Sequence, residues 1–216
     1  MSQYLFLLTI SPVQSFIDQA RKAQDLFAGS LLLSDLCRAG TTYLKEEHRA
    51  TIIFPDISSS SLPNRLIVEI PATDISLDDI GEEVEAHIQD FFDKAAQTII
   101  QQKKLNKPPG FDEQIRQHLQ IYWAGLPLEA DVSYLQTFQN LERLVGNLKN
   151  LRAFEQLGNK QGETGRKCSL TGERNALFFG QKRPAFAEPN AKVLKSFSLD
   201  EREGLSAVSL VKRYYK

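Results

Sequence analysis

The order of β-prone and helix-prone stretches constrains this chain more than any other feature. Tyr4 to Thr9 is a short, nearly continuous apolar run closed by Ser11-Pro12, and its length and breaker predict a buried strand. Pro12 suits a first helical position and Ser11 an N-cap. Phe16, Ala20, Ala23 and Phe27 then recur at helical spacing, so a helix follows directly. Gly29-Ser30 interrupts the pattern before Leu31-Leu32-Leu33 and Leu36 resume it, which predicts a long helix bent or broken near Gly29. Thr51 to Phe54 and Arg65 to Ile70 read as strands paired in a hairpin across a serine-rich connection. A helix capped by Ser76 and Asp78 carries Ile80, Val84, Ile88, Phe91 and Phe92 and runs to about Leu105, before Pro108-Pro109-Gly110. Leu119 to Trp123 partly alternates and reads as a further strand.

Strand, helix, strand, strand, helix, strand is the ferredoxin-like split βαβ order: an α+β fold whose antiparallel sheet is covered on one face by two helices. Leu135, Phe138, Leu141, Leu144, Val145, Leu148 and Leu151 predict an amphipathic helix packed onto that unit. From Gly158 to Lys167 the chain is polar, glycine-rich and basic, an exposed loop, and the tail from Ser198 to Lys216 is helical in pattern.

Composition narrows the function classes. The 216 residues are 42% hydrophobic and 25% charged, in the ordinary globular range. Twenty-six basic against 27 acidic side chains leave a net charge of -1, so there is no global basic field and any RNA contact must be local. Cys37 and Cys168 stand far apart, which argues against a disulfide framework and for a reduced setting. The first residues lack the basic region and cleavage site of a secretion signal, and no stretch reaches the ~18 apolar residues of a membrane span. A cytoplasmic location is expected.

Fold alone leaves function open. Ser11-Pro12-Val13-Gln14-Ser15-Phe16-Ile17, Ala20-Arg21-Lys22, Asp25-Leu26-Phe27-Ala28-Gly29-Ser30 and Leu33-Ser34 form one set of words near the start. Leu62-Pro63-Asn64-Arg65, Tyr122-Trp123-Ala124, the run Lys167 to Glu173 and the run Gly204 to Arg213 follow in order. Together they resemble the large subunit of type III-B (Cmr) CRISPR effectors. The resemblance implies two palm-like ferredoxin domains with ATP held between them. It also implies a Gly-Gly-Asp-Asp metal motif on the second palm, which makes cyclic oligoadenylates when the complex binds target RNA. Many members carry an N-terminal His-Asp nuclease domain as well.

This chain departs from that pattern. It has no Gly-Gly pair, and none of His48, His87 and His118 is followed by Asp. Its one Asp-Asp, Asp78-Asp79, stands at a helix start, where carboxylates favour the helix dipole. Two-metal chemistry needs clustered carboxylates, which the sequence does not supply. The expectation is therefore a non-catalytic palm-like domain at 1–157 with helical additions, then a degenerate zinc-ribbon-like segment and C-terminal helix at 158–216. The catalytic half is expected outside this chain, as a split-gene product or by truncation. The resemblance implies ATP shared with a second, catalytic palm, assembly with other type III-B effector subunits, indirect contact with guide RNA, and no membrane. Relatives often place zinc-binding cysteine pairs where this chain has Cys168 with Thr171 and Ser206 with Ser209. One thiol and three hydroxyls are poor zinc ligands, so no zinc is expected, and the two segments are left to pair by hydrogen bonds.

The resemblance singles out Ser11, Gln14, Ser15, Arg21, Lys22, Gly29 and Ser30 as nucleotide-binding. The residues themselves leave plainer readings open. The Ser11–Gln14 junction offers N–H groups to a phosphate, or is an ordinary helix cap. Asp18, Arg21, Lys22 and Asp25 form an intrahelical charge ladder, the favoured reading, or Arg21 or Lys22 meets a triphosphate or a neighbouring subunit. Gly29-Ser30 is a bend required for helix packing or a site of close approach across the palm interface, and Phe16 and Ile17 face the core or line an adenine pocket. Arg166, Lys167, Lys182 and Arg183 are solvated surface or a contact for RNA or protein. Leu205, Val208, Tyr214 and Tyr215 are expected to expose apolar surface unless further sequence or a partner covers them. Two other function classes stand beside the effector reading: a stand-alone interaction or nucleotide-sensing module, and an autonomous RNA-binding module. Strands that read as buried weigh against the last.

Overall fold

A computed structural model describes residues 3–151, 165–180, 192–193, 199 and 203–216. The chain divides into two compact units built from interleaved stretches, 1–13, 33–91 and 119–153 in one and 14–32, 92–118 and 154–216 in the other. The expected boundary at 157/158, most of the glycine-rich loop, and Lys182 and Arg183 lie outside the described residues.

The first unit is built on four antiparallel strands, β1 (Gln3–Ser11), β2 (Thr51–Phe54), β3 (Arg65–Pro71) and β4 (Gln120–Pro127), in the order β2-β3-β1-β4. Strand β1 is central, and its run Leu5 to Ile10 is buried and apolar except for Thr9 because both of its faces are covered. On one face Leu5 and Leu7 join Ile67, Ala124, Leu141 and Val145 in a buried cluster, the last two supplied by helix α5 (Tyr134–Asn150). On the other face Phe6 stacks on Trp123 with ring centroids 6.0 Å apart. Register places Leu7 opposite both Ile67 and Ala124, so a slip by one residue would turn the whole apolar set over. Asn64 ties the end of β1 down, its side chain donating to the Ile10 carbonyl at 2.9 Å while its own carbonyl accepts from Ile10 N–H at 2.8 Å.

Helix α2 (Ala23–Glu47) and helix α3 (Leu77–Gln102) contribute to both units. Ser76 caps α3 as expected, its hydroxyl accepting from Asp79 N–H at 3.1 Å, and Ile80, Val84, Ile88 and Phe92 are buried. The serine-rich connection between β2 and β3 is held by Arg38, which donates to the carbonyls of Ile57 and Ser59, and by Ser34, which accepts from Leu62 N–H at 2.7 Å.

Several expectations need correction. Helix α2 runs unbroken through Gly29, and the break falls earlier, at 19–22, after the short helix α1 (Gln14–Asp18). Ser11 is the last residue of β1, paired opposite Gln120, so neither it nor Pro12 caps or opens a helix. Strand β2 is not buried. It lies at the sheet edge with a register irregularity, and Ile53 and Phe54 are exposed. On α5 only part of the apolar stripe packs, since Leu135 and Leu144, and Leu151 just after it, are exposed. A short helix after Gly110, α4 (Phe111–Arg116), was not expected.

The second unit contains α1, the start of α2, the end of α3, α4 and a small sheet. That sheet is formed by β5 (Phe178–Phe179), β6 (Lys192–Val193) and β7 (Gly204–Leu205), with β5 in the middle. Helix α6 (Ala207–Tyr214) closes it, capped by the Ser206 hydroxyl, which accepts from Ser209 N–H at 3.2 Å. The Gln114 side chain joins α4 to this region, accepting from Ala207 N–H at 2.8 Å and donating to the Asn175 carbonyl at 3.0 Å. Leu205 and Val208 are buried in this unit and Tyr214 and Tyr215 partly so, against the expectation of exposed apolar surface.

Candidate functional site

The α1–α2 turn and α6 meet around four charges. Asp25 is fully buried, and a lone carboxylate there would be strongly unfavourable. Arg213 resolves this, donating through Nε and Nη2 to the two Asp25 oxygens at 2.9 and 2.8 Å and through Nη1 to Glu203 at 2.8 Å. Asp25 also accepts from the backbone N–H groups of Arg21 and Lys22, both at 3.3 Å. Burial alone would raise the Asp25 pKa. The hydrogen bond and charge of Arg213, with the two N–H donors, hold it below the usual aspartate value instead. The expected charge ladder is therefore corrected: α1 ends at Asp18, and Asp25 is engaged by Arg213 and the turn backbone.

Lys212 fills the neighbouring position. Its ammonium donates to the carbonyls of Phe16, Ile17 and Gln19, the last two at 3.2 and 3.1 Å, which satisfies carbonyls that α1 leaves without partners at its C-terminal end. It also lies over the Phe16 ring, 4.9 Å from the centroid. Room for this comes from Gly29, where an added Cβ would stand 2.9 Å from Lys212 Cε. Gly29 is thus no bend, and the close approach it allows is to Lys212 of the same chain.

The candidate nucleotide-facing residues separate accordingly. Gln14, Ser15 and Arg21 are exposed along the α1–α2 segment, Lys22 and Ser30 are half-buried, and Gly29 is buried against Lys212. Ser11 belongs to the sheet of the other unit. Phe16 takes the core reading, its ring centroid 4.9 Å from that of His118. His118 is itself only partly buried, but its Nε2 is shut off from solvent without a hydrogen-bond partner. Burial, followed by the charges of Arg174 and Lys212, pushes its pKa down to about 3.

Of Cys168, Thr171, Ser206 and Ser209, three bring their side chains together. Cys168 Sγ lies 3.2 Å from Ser209 Oγ, which lies 3.1 Å from Ser206 Oγ. Thr171 Oγ1 turns to its own turn and accepts from Glu173 N–H at 3.3 Å. The two segments also pair through Ser169, whose N–H donates to the Gly204 carbonyl at 2.8 Å. Burial works against a Cys168 thiolate. The Ser209 hydroxyl and the backbone N–H groups of Ser206, Thr171 and Leu170 outweigh it, and its pKa is lowered. One thiol among hydroxyls does not suit zinc.

Asp25, Glu203, Lys212, Arg213 and His118 were not among the expected site residues. A signal existed for the α6 pair: Lys212-Arg213 directly continues the run Leu205, Val208, Leu210 and Val211, so two cations sit where the helical period asks for burial.

The architecture is that of known type III effector chains. Over 98% of its length the chain resembles a chain in a cryo-EM structure of the type III-B Cmr-beta complex bound to cognate target RNA, with a TM-score of 0.63 and 14% identity. A Cmr-beta structure in the apo state gives a TM-score of 0.62 with 17% identity over 98% of the chain. The chain spans about a third of those chains, 32% and 31%. No curated protein matches it. Residues 5–125, more than half of the sequence, match the family described as CRISPR-associated protein Cmr2, N-terminal, and the chain belongs to that family.

Proposed function

We propose that the chain is the non-catalytic first palm portion of a type III-B effector large subunit. In this reading it provides one wall of an ATP pocket shared with a separate catalytic palm, and a surface for other effector subunits. The order β2-β3-β1-β4 of antiparallel strands supports a ferredoxin-like palm. One observation carries the nucleotide reading: Gln14, Ser15 and Arg21 present an amide, a hydroxyl and a guanidinium to solvent from a segment whose backbone is fixed from beneath by Lys212 and Arg213. Donors held in place before a phosphate arrives bind it with less ordering cost. ATP bound there would supply the substrate for cyclic oligoadenylate synthesis by the partner palm. Structural zinc is not part of the proposal. We place the complex in the cytoplasm, with guide RNA contacted through the other subunits. Among the described residues no helix is long and apolar enough to cross a membrane.

The test is a tagged purification from the native host, with co-purifying proteins identified by mass and bound RNA sequenced, then ATP binding by the recovered assembly. The expected result is a Gly-Gly-Asp-Asp palm protein with short guide RNA, and ATP affinity that falls in Arg21→Ala. Recovery of the chain alone, without RNA, overturns the effector reading and favours a stand-alone interaction module.

A further inference from the structure

We propose that Lys212 and Arg213 are positioning residues: from α6 they set the conformation of the α1–α2 turn and thereby aim Gln14, Ser15 and Arg21. The effect on a nucleotide rests on the function proposed above. The effect on the turn does not.

The two side chains divide the work. Lys212 holds the first half of the segment through the carbonyls of Phe16, Ile17 and Gln19. Arg213 holds the second half indirectly, because it fixes Asp25, and Asp25 in turn accepts from the N–H groups of Arg21 and Lys22. The Arg213 carbonyl also accepts from the Gln24 side chain at 3.3 Å. Local bonds hold residues 19–22 only in part: Gln19 and Ala20 N–H groups reach back to the Ser15 and Asp18 carbonyls, and the Lys22 carbonyl accepts from Asp25 and Leu26 N–H. The contacts from α6 act on the path between these ends. The four charges balance, Lys212 and Arg213 against Asp25 and Glu203, and Lys212, Arg213, Asp25 and Glu203 are each 2% exposed or less. Breaking one such pair leaves the other charge buried and uncompensated. Gly29 belongs to the same device, because any side chain there would meet Lys212.

Each half has its own reporter. Gln19 N–H donates to the Ser15 carbonyl and Ala20 N–H to that of Asp18, whereas Arg21 and Lys22 N–H groups depend on Asp25. The experiment is residue-resolved amide hydrogen exchange on the full chain, comparing Lys212→Met, Arg213→Lys and Gly29→Ala with wild type. Lys212→Met should speed exchange at Gln19 and Ala20 by about ten-fold, and Arg213→Lys should do the same at Arg21 and Lys22, with β1 and β3 unchanged. Gly29→Ala keeps every charge and favours the helix, so it guards against loss of folding. It should nevertheless speed Gln19 and Ala20 by displacing Lys212, where an effect on helix stability alone would slow them.

Unchanged exchange at these four amides would overturn the proposal, as would equal acceleration in β1 and β3, which would mark the pair as general stabilisers. A second arm measures ATP affinity in the assembly with the catalytic palm, where Gly29→Ala and Lys212→Met are expected to weaken binding several-fold. If the wild-type assembly binds no ATP, the nucleotide reading fails, while the exchange result still decides the positioning role.

Discussion

Arg213 grips both oxygens of the Asp25 carboxylate, at 2.9 and 2.8 Å, across 188 positions of sequence. It thereby joins the last helix of the chain to the turn that precedes α2 in the same compact unit. A planar guanidinium meeting a carboxylate in this way fixes orientation as well as charge, which an ammonium cannot do.

Removing one side of this pair should be costly. Asp25→Asn is expected to lower the unfolding free energy by about 3–5 kcal/mol, because it leaves Arg213 buried with incomplete compensation. Urea denaturation of wild type and variant at neutral pH measures this. Since the folded-state pKa of Asp25 lies below its ordinary value of 3.8, its contribution is fully present above that value. The contribution is lost as pH falls below the ordinary value and through the folded pKa. Melts from pH 5 down to 2 should therefore show an acid-labile component that Asp25→Asn lacks.

His118 should impose a second pH dependence in a different window. Its folded pKa is about 3 against an ordinary 6.5, so the unfolded chain takes up a proton that the folded protein refuses. Stability from this source is complete above pH 6.5. It falls with pH between 6.5 and 3, by at most about 1.4 kcal/mol per pH unit. His118→Phe should flatten the profile in this range. An unchanged slope in the variant would assign the dependence to other groups.

The single tryptophan reports on a tight contact in the other unit. An added Cβ at Gly81 would stand 2.4 Å from the Trp123 ring, whose Nε1 donates to Glu85 at 3.1 Å. Gly81→Ala must displace the ring from Phe6, with an expected cost of about 1–3 kcal/mol despite the better helix propensity of alanine. A shift in tryptophan emission together with a lowered unfolding midpoint is the expected signature.

Neither cysteine should react readily with a thiol reagent in the native protein. Burial, the largest influence on Cys37, pushes its thiol up to about 11 and leaves little thiolate at neutral pH. Cys168 has a lowered pKa but is 2% exposed, so access limits it. A disulfide-exchange reagent should titrate no thiols in buffer and two in denaturant. Rapid reaction of one thiol in buffer would show that the Cys168–Ser209 region opens.

Much of the first unit was legible in the sequence because its signals are local or periodic. A β-branched or apolar run bounded by proline marks each of β1, β2 and β3, and the Ser76 cap marks the start of α3. Even so, hydrophobic spacing did not reveal that β2 is an exposed edge, or that Leu135 and Leu144 of α5, and Leu151 just after it, face solvent. Period gives the faces of an element but not which neighbours lie against them. The break in the first helical stretch was misplaced for a related reason. Glycine at 29 weakens helix propensity by only about 1 kcal/mol, which packing overrides readily. The actual break at 19–22 is stabilised by Lys212 and Arg213, nearly 200 residues later.

The sequence by itself determined the kinds of elements and most of their order. It also carried the words that tie the chain to its family, since local propensity, alternation and breakers act within a few residues. Only the tertiary structure decided the roles of the charged residues. Asp25, Arg21 and Lys22 look like one helical ladder when read along the chain. Folding instead buries Asp25 fully and matches it with Arg213, while Arg21 remains exposed. The reason is electrostatic: a buried charge needs a partner within hydrogen-bond reach, and which residue supplies that partner depends on a chain path that no local pattern encodes.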